Sequence, residues 1–258
     1  MEEKGRTFED FVGGRVLAWA GALTVLTGIA FFVAVAIGRG WIDESTRIAL
    51  GFGATGAMFA AGAWLYERRG ATQASLALGG SGLAGLFLTL FAGMQLYALY
   101  PAPLALATAF GFGACGTLLA VRWRSRTVAA LAVGGALLAP AVIDAATSDF
   151  VAGYLLIVLA SAVGIVVMQR WSWLAVGSFV LAAPQLLAWL LSEPAPLLLM
   201  AVLATFVLVN AAAAFGYELR TGTSGLRASS TVLMLGGVLV AAAGGYLGLD
   251  LTGHHTLA

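Results

Sequence analysis

The chain has 258 residues and a formal net charge of +1; 61% of its residues are hydrophobic and 10% charged. Soluble domains carry about 25% charged residues, and a water-soluble fold of this size cannot cover its surface with so few. The single cysteine, Cys115, excludes an internal disulfide framework and a CxxC metal site. Its neighbours Ala114 and Gly116 lie in an apolar run, so it reads as a buried, inert thiol.

A helix rises about 1.5 Å per residue, so a hydrocarbon core of about 30 Å needs about 20 apolar residues. Runs near that length lie at 14–38, 48–66, 74–99, 104–121, 128–143, 150–168, 173–191, 197–217 and 231–250. This predicts an all-α polytopic bundle of about nine spans. Residues 1–13 form a short cytoplasmic segment, 14–251 the transmembrane domain and 252–258 a C-terminal tail. Short connections such as Tyr100–Pro103 and Gln169–Ser172 make consecutive helices antiparallel neighbours.

The first run ends near Ala34-Val35-Ala36, which looks like a signal-peptide cleavage site. It is too long for such a peptide and is preceded by Glu2, Glu3, Glu9 and Asp10, so it reads as an uncleaved span. Gly14, Gly21 and Gly28 share one face of it at heptad spacing, as a close helix contact requires. Trp41, Asp43, Glu44 and Arg47 follow. Trp41 and an Arg47–Asp144 ion pair form a candidate outer latch; scattered solvated charges are the equal alternative, since an exposed pair contributes under ~1 kcal/mol.

The second and fourth runs each contain a GxGxxG match, Gly51 to Gly56 and Gly111 to Gly116, sixty residues apart. That fingerprint binds dinucleotides only between a strand and a helix. Inside apolar runs it reads as a mark of hairpin duplication. These spans end in aromatic and arginine residues: Trp64 to Arg69, then Arg122-Trp123-Arg124. Arg170-Trp171 and Tyr217 to Arg220 repeat the pattern, which suits the headgroup layer. The recurrence argues against a nucleic-acid surface. With alternating spans, Lys4, Arg6, Arg15, Arg68, Arg69, Arg122, Arg124, Arg126, Arg170, Arg220 and Arg227 share one side, and only Arg39 and Arg47 the other. The positive-inside rule then puts the N-terminus inside and the C-terminus outside a bacterial inner membrane.

No ionisable residue falls near the middle of a span, and no catalytic or phosphate-binding motif occurs in its proper context. His254 and His255 are adjacent on the tail, which does not suit metal ligation. No metal, cofactor or nucleic acid is expected. The costly polar residues at membrane depth are Gln95, Gln185 and Asn210. They are read either as interhelical glue or as one polar pathway, and Pro184 is expected to bend its helix beside Gln185. In the last run Gly244 and Gly248 form a GxxxG pair, within the chain or toward a partner.

The run Gly21…Gly28-Ile29-Ala30-Phe31-Phe32, then Gly40-Trp41 and Arg47, resembles the opening of bacterial membrane proteins known as domain of unknown function 2339. Gly134 to Pro140, then Tyr154, Arg170-Trp171 and Leu174, are similar to later segments of that family. The resemblance covers residues 11–190 and implies a polytopic inner-membrane protein without an established activity. Members are often longer, so a compact member or a fragment is expected. Among activities, a transporter or flippase for a neutral or lipid-like substrate leads. A structural or assembly protein packing against itself or other membrane proteins follows, with membrane lipids as partners in either case, and an enzyme comes last.

Overall fold

Each helix begins and ends on a local chemical signal. The computed structural model describes Thr24, Thr27, Gly28, Phe31, Val35, Gly38, Arg39 and residues 43–143, 149–192, 194–221 and 228–255, except the side chains at 149, 220–221, 228–229 and 247–255. Helix α1 (Glu44–Arg69) has Glu44 in its first turn and Arg68 and Arg69 in its last, matching the helix dipole. Gly70 closes it at φ 74°. Helix α2 (Gln73–Gln95) opens with a capping box, in which Thr72 and Ser75 each accept the other's backbone N–H at 3.1 Å. Helix α3 (Ala102–Trp123) starts after Pro101, with Pro103 in its first turn where a missing N–H costs nothing. Ser125 caps α4 (Arg126–Val142) by accepting from the Val128 N–H. Helices α5 (Asp149–Gln169), α6 (Ser172–Leu190), α7 (Pro196–Thr221) and α8 (Ala228–His255) complete the series. No strand occurs among the described residues.

Six helices, α1, α2, α3, α5, α6 and α7, are long and apolar enough to cross a membrane. The described apolar part of α8, Ser230–Tyr246, is shorter, as is α4 with 17 residues. The described residues of the first apolar run are helical, and just past it the Arg39 N–H bonds to the Val35 carbonyl. They fall in the unit Met1–Arg47 with the first turn of α1; α1 from Ile48 onward and α2 to α8 fall in the unit Ile48–Ala258.

In that second unit α4 packs against α2, α3, α5 and α6, while α7 packs on α5 and α8, and α8 also on α6. Small residues set these contacts. Along α1 and α2 the facing pairs are Gly51–Thr89, Thr55–Gly85, Phe59–Gly82 and Gly62–Gly79, an antiparallel register in which one number falls as the other rises. A methyl group on Gly62 would lie 2.6 Å from the Gly79 Cα, so only glycine permits this approach. Gly113 and Gly116 likewise face Ala136 and Ala132 across α3 and α4. Large apolar side chains fill the interior between these contacts, among them Trp189, Phe206, Leu83 and Leu137, and also point outward: Leu118 is 71% exposed and Leu197 83%. Leucine on both the inside and the outside suits lipid as solvent, because apolar side chains lose nothing by facing it.

The two GxGxxG copies do not play equivalent parts. Gly51 is packed while Gly53 and Gly56 meet no described residue; in the second copy Gly111 is open while Gly113 and Gly116 are packed. Cys115 is exposed on the outside of α3, not buried as the sequence context suggests. The 3.6-residue helical period puts it on a different face from the packed Gly113 and Gly116.

Candidate functional site

Polar side chains from three helices are drawn to one short helix. Pro140 lies inside α4 and has no N–H to give to the carbonyl four residues earlier, that of Ala136. The Tyr154 hydroxyl from α5 donates to this carbonyl at 2.8 Å. The Gln185 amide from α6 donates to the next one, Leu137, at 2.7 Å, and also to Leu181 in its own helix at 2.8 Å. From α2, the Gln95 amide donates to the Val142 carbonyl at the end of α4, where helical partners run out. Three helices therefore tie themselves to a single stretch of α4 backbone.

Of the three residues of the predicted polar pathway, Gln95 and Gln185 thus share α4 at two levels. Asn210 is fully enclosed, donates to the Phe206 carbonyl of its own helix at 2.8 Å, and lies across from Gly237 of α8. Gln185 has a further property: its Oε1 is buried without a partner among the described residues, and so is Nε1 of Trp189 one turn later. Each such orphan costs about 1–3 kcal/mol. Helix α6 runs unbroken through Pro184.

Tyr154 was within reach of sequence reasoning, since a proline inside an apolar helix always frees the carbonyl four residues before it. What the sequence lacks is the partner's identity, because α5 contains other polar groups. Ser161, for example, bonds back to the Val158 carbonyl at 2.6 Å.

Beside this knot, two grooves run along the outer surface. One, of about 550 Å³, lies between the N-terminal halves of α3 and α5 and includes Pro103, Phe110, Phe150, Gly153, Tyr154 and Ile157. The second, of about 240 Å³, shares Phe110 and continues past Gly113, Leu118 and Ser161 to Ala132 and Ala136 of α4. Neither contains Gln95, Gln185 or Asn210, so the polar ties and the grooves are separate features joined through Tyr154 and Ala136.

The remaining predicted positions divide. Trp41 and Asp144 lie outside the described residues, so the outer latch does too; the Arg47 N–H bonds to the Asp43 carbonyl at 3.0 Å. Gly14 and Gly21 also lie outside the described residues, and Gly28 meets no described residue within 4 Å. Gly244 packs within the chain: a methyl group there would lie 2.8 Å from Leu190 of α6 and 3.1 Å from Leu203 of α7. Gly248 is in α8, with no side-chain surroundings described. Among the described residues no group of three metal-ligating side chains exists.

The sequence profile of the DUF2339 family, described as a predicted membrane protein, matches residues 13–255. The chain belongs to the DUF2339 family. The match extends well past residue 190, where the resemblance read from individual motifs ends, and takes in α7 and α8. The small-residue contacts and all three ties to α4 therefore lie within the DUF2339 region. No curated protein and no solved structure matches the chain.

Proposed function

We propose that the chain is a multi-pass protein of a bacterial inner membrane that carries a neutral or lipid-like molecule, in the manner of a transporter or flippase. In this reading it has nine spans, the N-terminus inside and the C-terminus outside. The observation that carries it is the pair of grooves sharing Phe110. From Pro103 to Leu118 they follow fifteen steps of α3, about 22 Å of helix. That exceeds the roughly 15 Å of one leaflet's hydrocarbon. The lining includes no charged residue, which suits an acyl chain or another apolar substrate and disfavours an ion. The groove ends one turn short of Arg122, where headgroups would meet a basic helix end.

The test is reconstitution into vesicles with a panel of fluorescent lipids and neutral solutes. Movement that depends on the protein for at least one member supports transport. Equal rates in protein-free vesicles across the panel overturn it.

A second reading, a structural or assembly protein, is favoured by the ties to α4. Gln185 spends both of its amide N–H groups on backbone carbonyls and Gln95 one of its two, as interhelical glue does. Under that reading a stable complex with another membrane protein, or with a second copy, should survive mild solubilisation.

A further inference from the structure

At the end of the bundle where α1, α3, α5 and α7 terminate, charge is poorly balanced. Arg122 pairs with Glu67 at 3.3 Å, and the Gln169 amide reaches the Val121 carbonyl at 3.4 Å, so the ends of α1, α3 and α5 are adjacent. Arg68, Arg69, Arg122, Arg124, Arg126 and Arg170 are described here, against Glu67 and Glu218, and the Glu218 carboxylate already accepts from Ser230. Arg69, Arg124, Arg126 and Arg170 pair with no described carboxylate.

The backbone singles out two of them. Helix α1 ends with a residue at positive φ, and that residue is glycine, Gly70. Helices α3 and α5 end the same way, yet the residues are Arg124 at φ 50° and Arg170 at φ 59°. Glycine is the usual choice at this position because a Cβ is disfavoured there. Arginine stands there twice, on neighbouring helix ends, where the same chain uses glycine at a third. Ala98, just past α2, also sits at positive φ, at 48°, so the conformation alone assigns no use; Arg124 and Arg170 differ in carrying guanidinium groups there, on adjacent helix ends short of carboxylates. Both arginines are exposed.

We propose that Arg124 and Arg170 together bind the phosphodiester headgroup of an anionic glycerophospholipid at this end of the bundle. Exposed Trp173 follows Arg170 by three residues, and near the end of α1 the Arg68 guanidinium lies over the exposed Trp64 ring at 4.5 Å. Indole rings at this level belong to the membrane interface, which favours a lipid over a soluble polyanion. Guanidinium forks match phosphate oxygens two at a time, and the surplus positive charge selects an anionic over a zwitterionic headgroup. The site does not depend on the transport reading.

The test compares the purified protein in mixed micelles with dioleoyl phosphatidylglycerol, with dioleoyl phosphatidylcholine, and with sodium phosphate alone. Lipid retained is read by native mass spectrometry and stability by the melting temperature. The wild type should retain phosphatidylglycerol and melt higher with it than with the other two additions. The Arg124→Gly/Arg170→Gly variant relieves the backbone, so its melting temperature without added lipid should hold or rise. Its affinity for phosphatidylglycerol should fall about 25-fold, about five-fold for each arginine. An Arg124→Gln/Arg170→Gln variant, which keeps a Cβ at both positions, should lose the same affinity. Undiminished phosphatidylglycerol affinity in either double variant would leave the arginines as helix ends only. Equal stabilisation by sodium phosphate or by phosphatidylcholine would likewise overturn the proposal.

Discussion

The Tyr154 hydroxyl donates to the Ala136 carbonyl at 2.8 Å, and Ala136 is the residue whose carbonyl Pro140 leaves without a helical N–H. The proline and the tyrosine are thus two halves of one device. Break α4 with Pro140, and a partner helix must supply the missing donor. Tyr154→Phe removes that donor and leaves a buried acceptor, so it should lower stability by about 1–2 kcal/mol. Pro140→Ala restores an N–H to the same carbonyl, and in that background Tyr154→Phe should cost well under half as much. Unfolding in mixed micelles of increasing dodecyl sulfate measures all four proteins. Equal costs in the two backgrounds would show that the residues act independently.

The α1–α2 contact gives a sharper contrast between glycines. Gly62 faces the Gly79 backbone so closely that the smallest side chain forces the helices apart. Gly62→Ala should therefore destabilise by about 1–3 kcal/mol. Gly111 has no described atom within 4 Å of where a Cβ would sit. Gly111→Ala should be neutral or gain up to about 1 kcal/mol from helix propensity. Melting temperatures of the two single variants decide this. A Gly62→Ala protein as stable as wild type would show that α1 and α2 do not approach as described.

At the start of α1, the Asp43 carboxylate accepts hydrogen bonds from the side chains of Ser45 and then Thr46, and from the Thr46 backbone N–H; these hold its pKa below the usual carboxylate range. Because the folded value is the lower one, the contribution of this cap is complete above the unfolded value and disappears as pH falls through the folded one. Amide exchange at residues 45–48, corrected for the intrinsic pH dependence, should show full protection at neutral pH and progressive loss below the usual carboxylate range. Asp43→Asn keeps an acceptor and should flatten the pH dependence; Asp43→Ala should expose this turn at every pH. Protection in the wild type that does not change on acidification would remove Asp43 from the cap.

How much of this was open to the sequence depends on the length scale of the signal. The apolar runs at 48–66, 74–99 and 104–121 become α1, α2 and α3 with ends shifted by a few residues, because helix length in lipid is set by solvent thickness. Helix ends were legible wherever a cap was spelled out, as at Thr72 with Ser75. Glycine roles were not. Gly51 and Gly111 occupy the same place in matching motifs, yet one touches Thr89 and the other meets no described residue. Nothing within a motif records which face the neighbouring helix takes. For Gln95 and Gln185 the sequence left glue and pathway open, since an amide within an apolar run satisfies either. Their acceptors are backbone carbonyls of α4, which no side-chain pattern announces.

The groove itself can be filled without disturbing the fold. Gly153 lines it, and a Cβ built there has nothing within 4 Å. Gly153→Leu therefore adds apolar volume to the groove without forcing the protein apart, and leucine is the better helix former by up to about 1 kcal/mol. Stability should hold or rise. If an acyl chain travels past Phe110, protein-dependent lipid movement in vesicles should fall at least about ten-fold, because blocking a bound position worth only ~1.4 kcal/mol has that effect. Gly111→Ala, in the same stretch of α3 but not among the groove residues, is the matched control and should leave movement unchanged. A stable Gly153→Leu protein that still moves lipid at the wild-type rate would take the groove out of the mechanism, and with it the observation on which the transport reading rests.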